Sequence, residues 1–210
     1  MHDWIAQLLN HPDLCRMGHG QRVGDANLGL GWLYYGLARI LRPAHVVVIG
    51  SYRGFVPLVF GKALHDNLEK GQVCFIDPSL VDRFWKDPDA VQTYFAGFGV
   101  TNVRHFLMTT QQFVASEHYR DLASVDIVFV DGYHSAEQAR FDYEAFAGRL
   151  SQKGIVLFHD SIDDMTSTLY GAERAYRHGV KDFIDTLKKD TGLQVFDFPF
   201  ARGVTLVRRL

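Results

Sequence analysis

Four side chains able to move a proton or hold a metal crowd into two short stretches. Asp131 and His134 follow Phe129-Val130, and His159 and Asp160 follow Gly154-Ile155-Val156-Leu157-Phe158. In both stretches an apolar run ends at a carboxylate, so two adjacent parallel strands would bring both carboxylates to one sheet edge, about 4.8 Å apart from strand to strand. Carboxylates that close repel unless they share a proton, face cations or bind a metal ion. An imidazole, with an ordinary pKa near 6.5, is suited to take a proton beside them. The step from Asp131 to His134 lets both side chains face one ligand, whereas His159 and Asp160, as strand neighbours, are expected to diverge. His134 is thus the preferred base, with Asp131 and His159 as the other catalytic candidates. His19 and His178 lack such partner spacing and are expected at the surface or in packing, as are the remaining histidines.

The elements that must position these groups are legible as short apolar, β-branched runs at 45–49, 73–77, 103–106, 126–130 and 155–159, alternating with helix-like segments. Such alternation predicts an α/β parallel sheet. The first, fourth and fifth runs are almost wholly apolar, as strands covered on both faces must be. Ser135, with Gln138 three residues on, predicts a capping box opening a helix over 135–150. Runs at 194–198 and 203–208 are too close for a helical crossover, so they form an antiparallel hairpin at the sheet edge. Residues 1–44 are predicted as a helical cap over the active edge, and residues 45–210 as the α/β core of one 210-residue domain.

The first run ends in Ile49-Gly50-Ser51-Tyr52-Arg53-Gly54-Phe55, with Pro57 in the first turn of a helix. A strand, a tight turn and a helix amino terminus form a nucleotide-type cradle, because free N–H groups and the helix dipole favour an anionic group. A dinucleotide fingerprint would require glycine at Tyr52 and Phe55, and a phosphate-binding loop would require glycine at Phe55 and a following Lys-Ser or Lys-Thr. NAD and ATP hydrolysis are therefore disfavoured. Asp77, closing the second run before Pro78, emerges at the same edge as a paired acceptor for a ribose diol. A turn aspartate is its structural alternative.

Residues 49–54, 129–135 and 154–160 together, in this order and spacing, resemble class I S-adenosylmethionine-dependent methyltransferases, in particular the bacterial small O-methyltransferase-like family of methyltransferase 24 type. The resemblance spans most of residues 25–208. It implies a Rossmann-like doubly wound sheet of seven strands, order 3-2-1-4-5-7-6, mostly parallel with an antiparallel C-terminal hairpin strand. It further implies S-adenosyl-L-methionine held by Gly50, Ser51, Tyr52, Arg53, Gly54, Asp77 and Asp131, with adenine near Met108, Thr109 and Thr110. Methyl transfer to an oxygen of a small molecule would follow, assisted by Mg²⁺ on Asp131 and Asp160. Where the family pattern has an acidic residue two places before Gly50 and a glycine two places after it, this chain has Val48 and Tyr52. Two alternatives stay open: a degenerate cofactor-binding domain with a regulatory or assembly role, and a metal-dependent enzyme of another reaction type.

Composition narrows the partners. The 22 Lys plus Arg nearly balance 24 Asp plus Glu without long single-sign blocks, which argues against nucleic acid and anionic membranes. No apolar run reaches the roughly 20 residues a bilayer span needs, and a cytoplasmic location is expected. Cys15 and Cys74 are expected to be reduced and structural. Specificity is expected from the amino-terminal region, 79–89, Tyr133 and 161–170, with Phe84, Trp85, Tyr133 and Tyr170 as stacking candidates. Asp163 and Asp164 are expected to cap a following long helix, and two copies of such a domain are expected to pair through helical faces.

Overall fold

The structure, a computed structural model, describes residues 1–15, 17–68 and 70–210. Five parallel strands, β1 (His45–Ile49), β2 (Gln72–Ile76), β3 (Val103–Phe106), β4 (Val125–Val130) and β5 (Leu150–His159), are joined in succession by helical crossovers. The crossovers contain α3 (Phe55–Asp66), α4 (Pro88–Gly97), α5 (Thr110–Ala115), α6 (Glu117–Asp121) and α7 (Ala136–Ala147). Beyond β5 come a short ribbon of β6 (Thr166–Ser167) and β7 (Tyr176–Arg177), then α8 (Val180–Leu187), and the hairpin β8 (Leu193–Phe198) and β9 (Val204–Arg209). The sheet order is β3-β2-β1-β4-β5-β9-β8, with β9 antiparallel to both neighbours. With the ribbon set aside, this is the order 3-2-1-4-5-7-6 implied by the sequence.

Strand periodicity divides the core into two layers. Val46 and Val48 of β1, Ile127 and Phe129 of β4, and Ile155 and Leu157 of β5 face one cluster, shared with α1 (His2–Asn10), α2 (Gly31–Leu41), α3 and α4. Their alternates, Val47, Ile49, Val128, Val130, Val156 and Phe158, face the other, shared with α5, α7 and α8. Side chains that alternate by two and are buried on both faces hold the register firmly, because a one-residue slip would exchange the two layers.

Three sequence expectations need correction. Among the described residues of 1–44 there are two helices, which pack on a face of the sheet, and the described residues between α1 and α2 are irregular, with an isolated bridge between Arg22 and Asn27. No long helix follows Asp164; its carboxylate pairs with Arg177 across the ribbon. At α7 only half of a capping box forms: Ser135 accepts from the Gln138 N–H, but the Gln138 amide reaches Asp142 at 2.8 Å instead of turning back. A complete box closes at Thr109 and Gln112, at the start of α5.

Candidate active site

The glycine loop is pinned by backbone geometry. Past β1 the ladder continues, with Gly50 N–H donating to Ile76 O and Asp131 N–H to Ile49 O, both at 2.8 Å. Gly50 has φ +70°, and a Cβ there would stand 2.5 Å from the Asp131 carbonyl oxygen, so only glycine brings this turn against the Asp131-Gly132 turn. Ser51 Oγ accepts from Val56 N–H in the first turn of α3. Tyr52 adopts φ +42° where the family pattern has glycine. Its carbonyl accepts from Trp85 Nε1 at 2.9 Å, and the Arg53 guanidinium lies 4.0 Å over its ring, contacts that hold this sparsely populated conformation.

Asp77 sits beside this loop, as the ends of β1 and β2 require. Its carboxylate accepts from Ser79 N–H at 2.7 Å and from Ser51 N–H at 3.4 Å. Burial pushes its pKa up to about 6, against the pull of those two N–H groups. Of the predicted cofactor residues, Gly50, Ser51, Tyr52, Asp77, Thr109 and Asp131 line one cleft of about 940 Å³. Arg53 and Gly54 do not line it. Arg53 turns away to Asp82 at 2.7 Å and Asp13 at 3.3 Å, and Gly54 starts α3 where a Cβ would meet the Trp85 ring at 2.9 Å. Phe84 and Trp85 also belong to packing, with Trp85 buried among Phe75, Phe95 and Tyr94.

At the other side of the cleft the two predicted carboxylates and two predicted histidines meet two histidines from distant segments. His159 Nδ1 donates to Asp131 Oδ1 at 2.9 Å. It also lies 3.3 Å from Asp160 Oδ1, because Asp160 leaves strand geometry at φ +50° and does not diverge from His159 as expected. His134 Nε2 stands between Asp131 Oδ1 at 3.9 Å and Asp160 Oδ2 at 3.8 Å. His19, fully buried, puts Nε2 4.0 Å from Asp131 Oδ2, while its Nδ1 lies 3.1 Å from the Tyr34 hydroxyl. His178 stacks on His134 with centroids 4.5 Å apart. Neither His19 nor His178 is a surface residue, and no local spacing could have disclosed them. They arrive from the 11–30 span and the ribbon.

The charges adjust to each other. Burial opposes the Asp131 charge, but His159 and the other imidazoles outweigh it and hold the carboxyl below its ordinary range. For His159, burial is outweighed by Asp131, and its pKa rises. His134 goes the other way: burial prevails over the attraction of Asp131 and Asp160, so it is held neutral. One further cleft residue, Asp142, was missed. Its signal was an aspartate in the buried stripe Ala139-Asp142-Phe146 of α7, and burial raises its pKa to about 6.

Donor chemistry tests the anticipated Mg²⁺. That ion demands near-octahedral oxygen ligands and keeps several waters. Here Asp131 and Asp160 fall into two separate groupings, each with two imidazoles: His19, Asp131 and His159, and His134, Asp160 and His178. The residues present do not fit Mg²⁺ on a paired carboxylate site.

A seven-stranded Rossmann-like sheet with an antiparallel final strand, a glycine turn after β1 and an acidic residue closing the space after β2 define the class I methyltransferase fold. The family profile described as methyltransferase domain matches residues 47–161, and the chain belongs to that family. It is 30% identical over 147 residues to the uncharacterized protein y4gI of Sinorhizobium fredii, a match covering 62% of this chain; the chain spans 15% of the length of that curated relative. Among solved structures it resembles the SAH-bound methyltransferase PaMTH1 of Podospora anserina, with TM-score 0.65, 18% identity and coverage of 99% of this chain and 86% of the other. It also resembles the O-methyltransferase TomG of Streptomyces achromogenes in complex with SAM, with TM-score 0.65, 17% identity and coverage of 99% and 88%. An O-methyltransferase from Bacillus cereus in complex with SAH gives TM-score 0.67, 11% identity and coverage of 100% and 92%. No helix among the described residues is long and apolar enough to cross a membrane.

Proposed function

We propose that the cleft binds S-adenosyl-L-methionine and that the chain transfers its methyl group to an oxygen of a small-molecule acceptor. The observation that carries this reading is the convergence of the Gly50–Tyr52 turn, the Asp77 carboxylate and the Asp131–His134 turn on one cleft of about 940 Å³, within the ordinary range for ligand pockets. Asp77 accepts the ribose hydroxyls. The turn before α3 faces the methionine carboxylate, and Met108 and Thr109 border the adenine. Transfer is an in-line displacement: the acceptor oxygen loses its proton, its lone pair bonds to the methyl carbon, and the C–S pair returns to sulfur. His134 Nε2, neutral and flanked by Asp131 and Asp160, takes that proton, and the two carboxylates stabilise the imidazolium so formed. A paired Asp131–His159 keeps the oxygen that faces His134 in place.

A small acceptor is favoured over nucleic acid, since the cleft gathers four carboxylates, Asp77, Asp131, Asp142 and Asp160, against Arg174 and Arg202. Tyr133, 44% exposed, stacks on Tyr176 at 4.2 Å and, with Tyr170, offers an aromatic wall for a planar hydroxylated ring. Helix α2, which leaves Trp32 and Ile40 exposed, is the face through which two copies would pair. Calorimetric titration with S-adenosylmethionine, NAD and ATP tests the cofactor. We expect selective binding of the first, weakened about 10- to 150-fold in Asp77→Ala, the loss of hydrogen bonds to a charged acceptor. Absence of S-adenosylmethionine binding at millimolar concentration would remove the reading. Binding without methyl transfer across a broad panel of hydroxylated acceptors would turn it into a non-catalytic binding domain.

A further inference from the structure

His178 has no part in the transfer chemistry above, yet its side chain is only 5% exposed and neither ring nitrogen has a hydrogen-bond partner among the described residues. A buried polar atom left without a partner loses its hydration for nothing in return. The position is built with care. His178 N–H donates to Met165 O at 2.8 Å, Gly179 N–H donates to His134 O at 2.7 Å, and a Cβ on Gly179 would stand 2.6 Å from the Ala136 nitrogen. These contacts clamp the ribbon against the Asp131–His134 turn and press the two imidazoles together.

We infer that His134, Asp160 and His178 form a binding site for a divalent transition-metal ion of the Zn²⁺ or Fe²⁺ type. His134 Nε2 and His178 Nδ1 are each 3.8 Å from the same oxygen, Asp160 Oδ2. That separation is too long for hydrogen bonds. It is close to the edge of a tetrahedron around an ion with ligands at about 2.1 Å, which is about 3.4 Å, so a contraction of a few tenths of an ångström, with the two rings turned out of their 18° stack to aim both lone pairs at one point, completes the set. One donor atom from each residue lies within 4.8 Å of the others. Two imidazoles and one carboxylate suit zinc or ferrous iron, not the oxygen-demanding Mg²⁺. All three residues line the cleft, so an ion held by them would be accessible to a further ligand from the cleft. The other grouping is less suited. His159 Nδ1 and Asp131 already bond to each other, His19 Nδ1 meets Tyr34, and His19 does not line this cleft.

The consequence rests on the methyl-transfer reading. With an ion bound, His134 would be a ligand and not the base; the ion would supply Lewis acidity that lowers the pKa of an acceptor hydroxyl, whose proton would then pass to solvent. The test separates the two readings. The metal-stripped 210-residue chain is titrated with CoCl₂, read by ligand-field absorption, and with ZnCl₂ and MgCl₂ by calorimetry, all without cofactor; S-adenosylmethionine is titrated separately. We expect one Co²⁺ or Zn²⁺ per chain, Mg²⁺ at least about 100-fold weaker, and about 100-fold or greater loss in His178→Ala, His178→Gln and Asp160→Asn. Loss of an outer-shell partner alone costs about 10- to 100-fold. His65→Ala, on an exposed face of α3, should bind as wild type. Variants that keep S-adenosylmethionine binding and the wild-type circular dichroism while losing Co²⁺ support the site. Wild-type Co²⁺ affinity in both His178 variants, equal affinity for Mg²⁺, or loss on His19→Ala with His178→Gln unaffected would overturn it.

Discussion

The two sides of the cleft are built differently. The cofactor side is made of turns one to three residues beyond β1, β2 and β4, and the sheet's hydrogen-bond ladder runs directly into them. The acceptor side draws half its imidazoles from irregular spans, His19 from the segment between α1 and α2, and His178 from the end of the β6–β7 ribbon. A turn fixed by a buried parallel sheet has few ways to vary. A ribbon of two-residue strands held by a few hydrogen bonds can change composition without disturbing the core. On the function proposed above, the difference lets one scaffold keep its cofactor edge while the donor set at the acceptor side varies.

Substituting one glycine on each side puts this comparison at risk. Gly50→Ala meets both an unfavourable φ and the Asp131 carbonyl, and we expect a loss of about 2–4 kcal/mol, together with cofactor binding. For a chain of this size that lowers Tm by roughly 5–15 °C. Gly179→Ala meets the Ala136 backbone without a φ penalty. We expect about 1–3 kcal/mol of destabilisation with S-adenosylmethionine affinity kept within about threefold and metal binding lost. Equal damage to cofactor binding by both substitutions, measured by calorimetry and thermal melts, would show that the two sides are one cooperative unit.

Asp77→Asn sharpens the cofactor side alone. The Asp77 carboxyl has its pKa raised to about 6, chiefly by burial, from an ordinary value of 3.8, with Asp82 and Asp131 adding to the shift. Between these values the folded chain binds more protons than the unfolded one, so this group's contribution to stability falls as pH rises through that window and stays low above it. Asparagine carries no such cost. We expect the variant to melt higher than wild type at pH 8, by no more than the roughly 3 kcal/mol that two pKa units represent, and the gap to close near pH 4. A gap independent of pH would mean that ionisation of Asp77 is not what the fold opposes. The smallest effect should come from Tyr52→Gly: relief of a strained φ, offset by glycine's extra unfolded-state freedom, should change stability by less than about 1 kcal/mol. A larger loss in thermal melts would assign the Tyr52–Arg53 stacking a structural role beyond holding the turn.

Much of the architecture was legible because it follows short-range rules. Apolar β-branched runs at 45–49 and 103–106 coincide with β1 and β3, and the closing hairpin with β8 and β9 to within a residue at each end. Gly50, Asp77, Asp131 and His134, which line the cleft, were legible because each lies within four residues of the end of such a run. Arg53 and Gly54 share a motif with cleft residues but do not line the cleft; they face Asp13, Asp82 and Trp85, partners far off in the chain. The capping box was placed at Ser135 because local spacing cannot reveal that Gln138 is drawn instead to a buried carboxylate, Asp142.

The sequence by itself determined the strand order's raw material, the hairpin, the glycine turn and the four acid–base residues at the ends of β4 and β5. These depend on periodicity and on residues near one another in the chain. Only the tertiary structure decided that His159 pairs with Asp131, that Asp160 turns back into the cluster, and that His19 and His178 complete two separate donor groupings. Contacts between residues 18 to 140 positions apart leave no local trace, because a histidine's neighbours are set by how the sheet, the irregular span and the ribbon pack together, and burial then sets which of them carry charge.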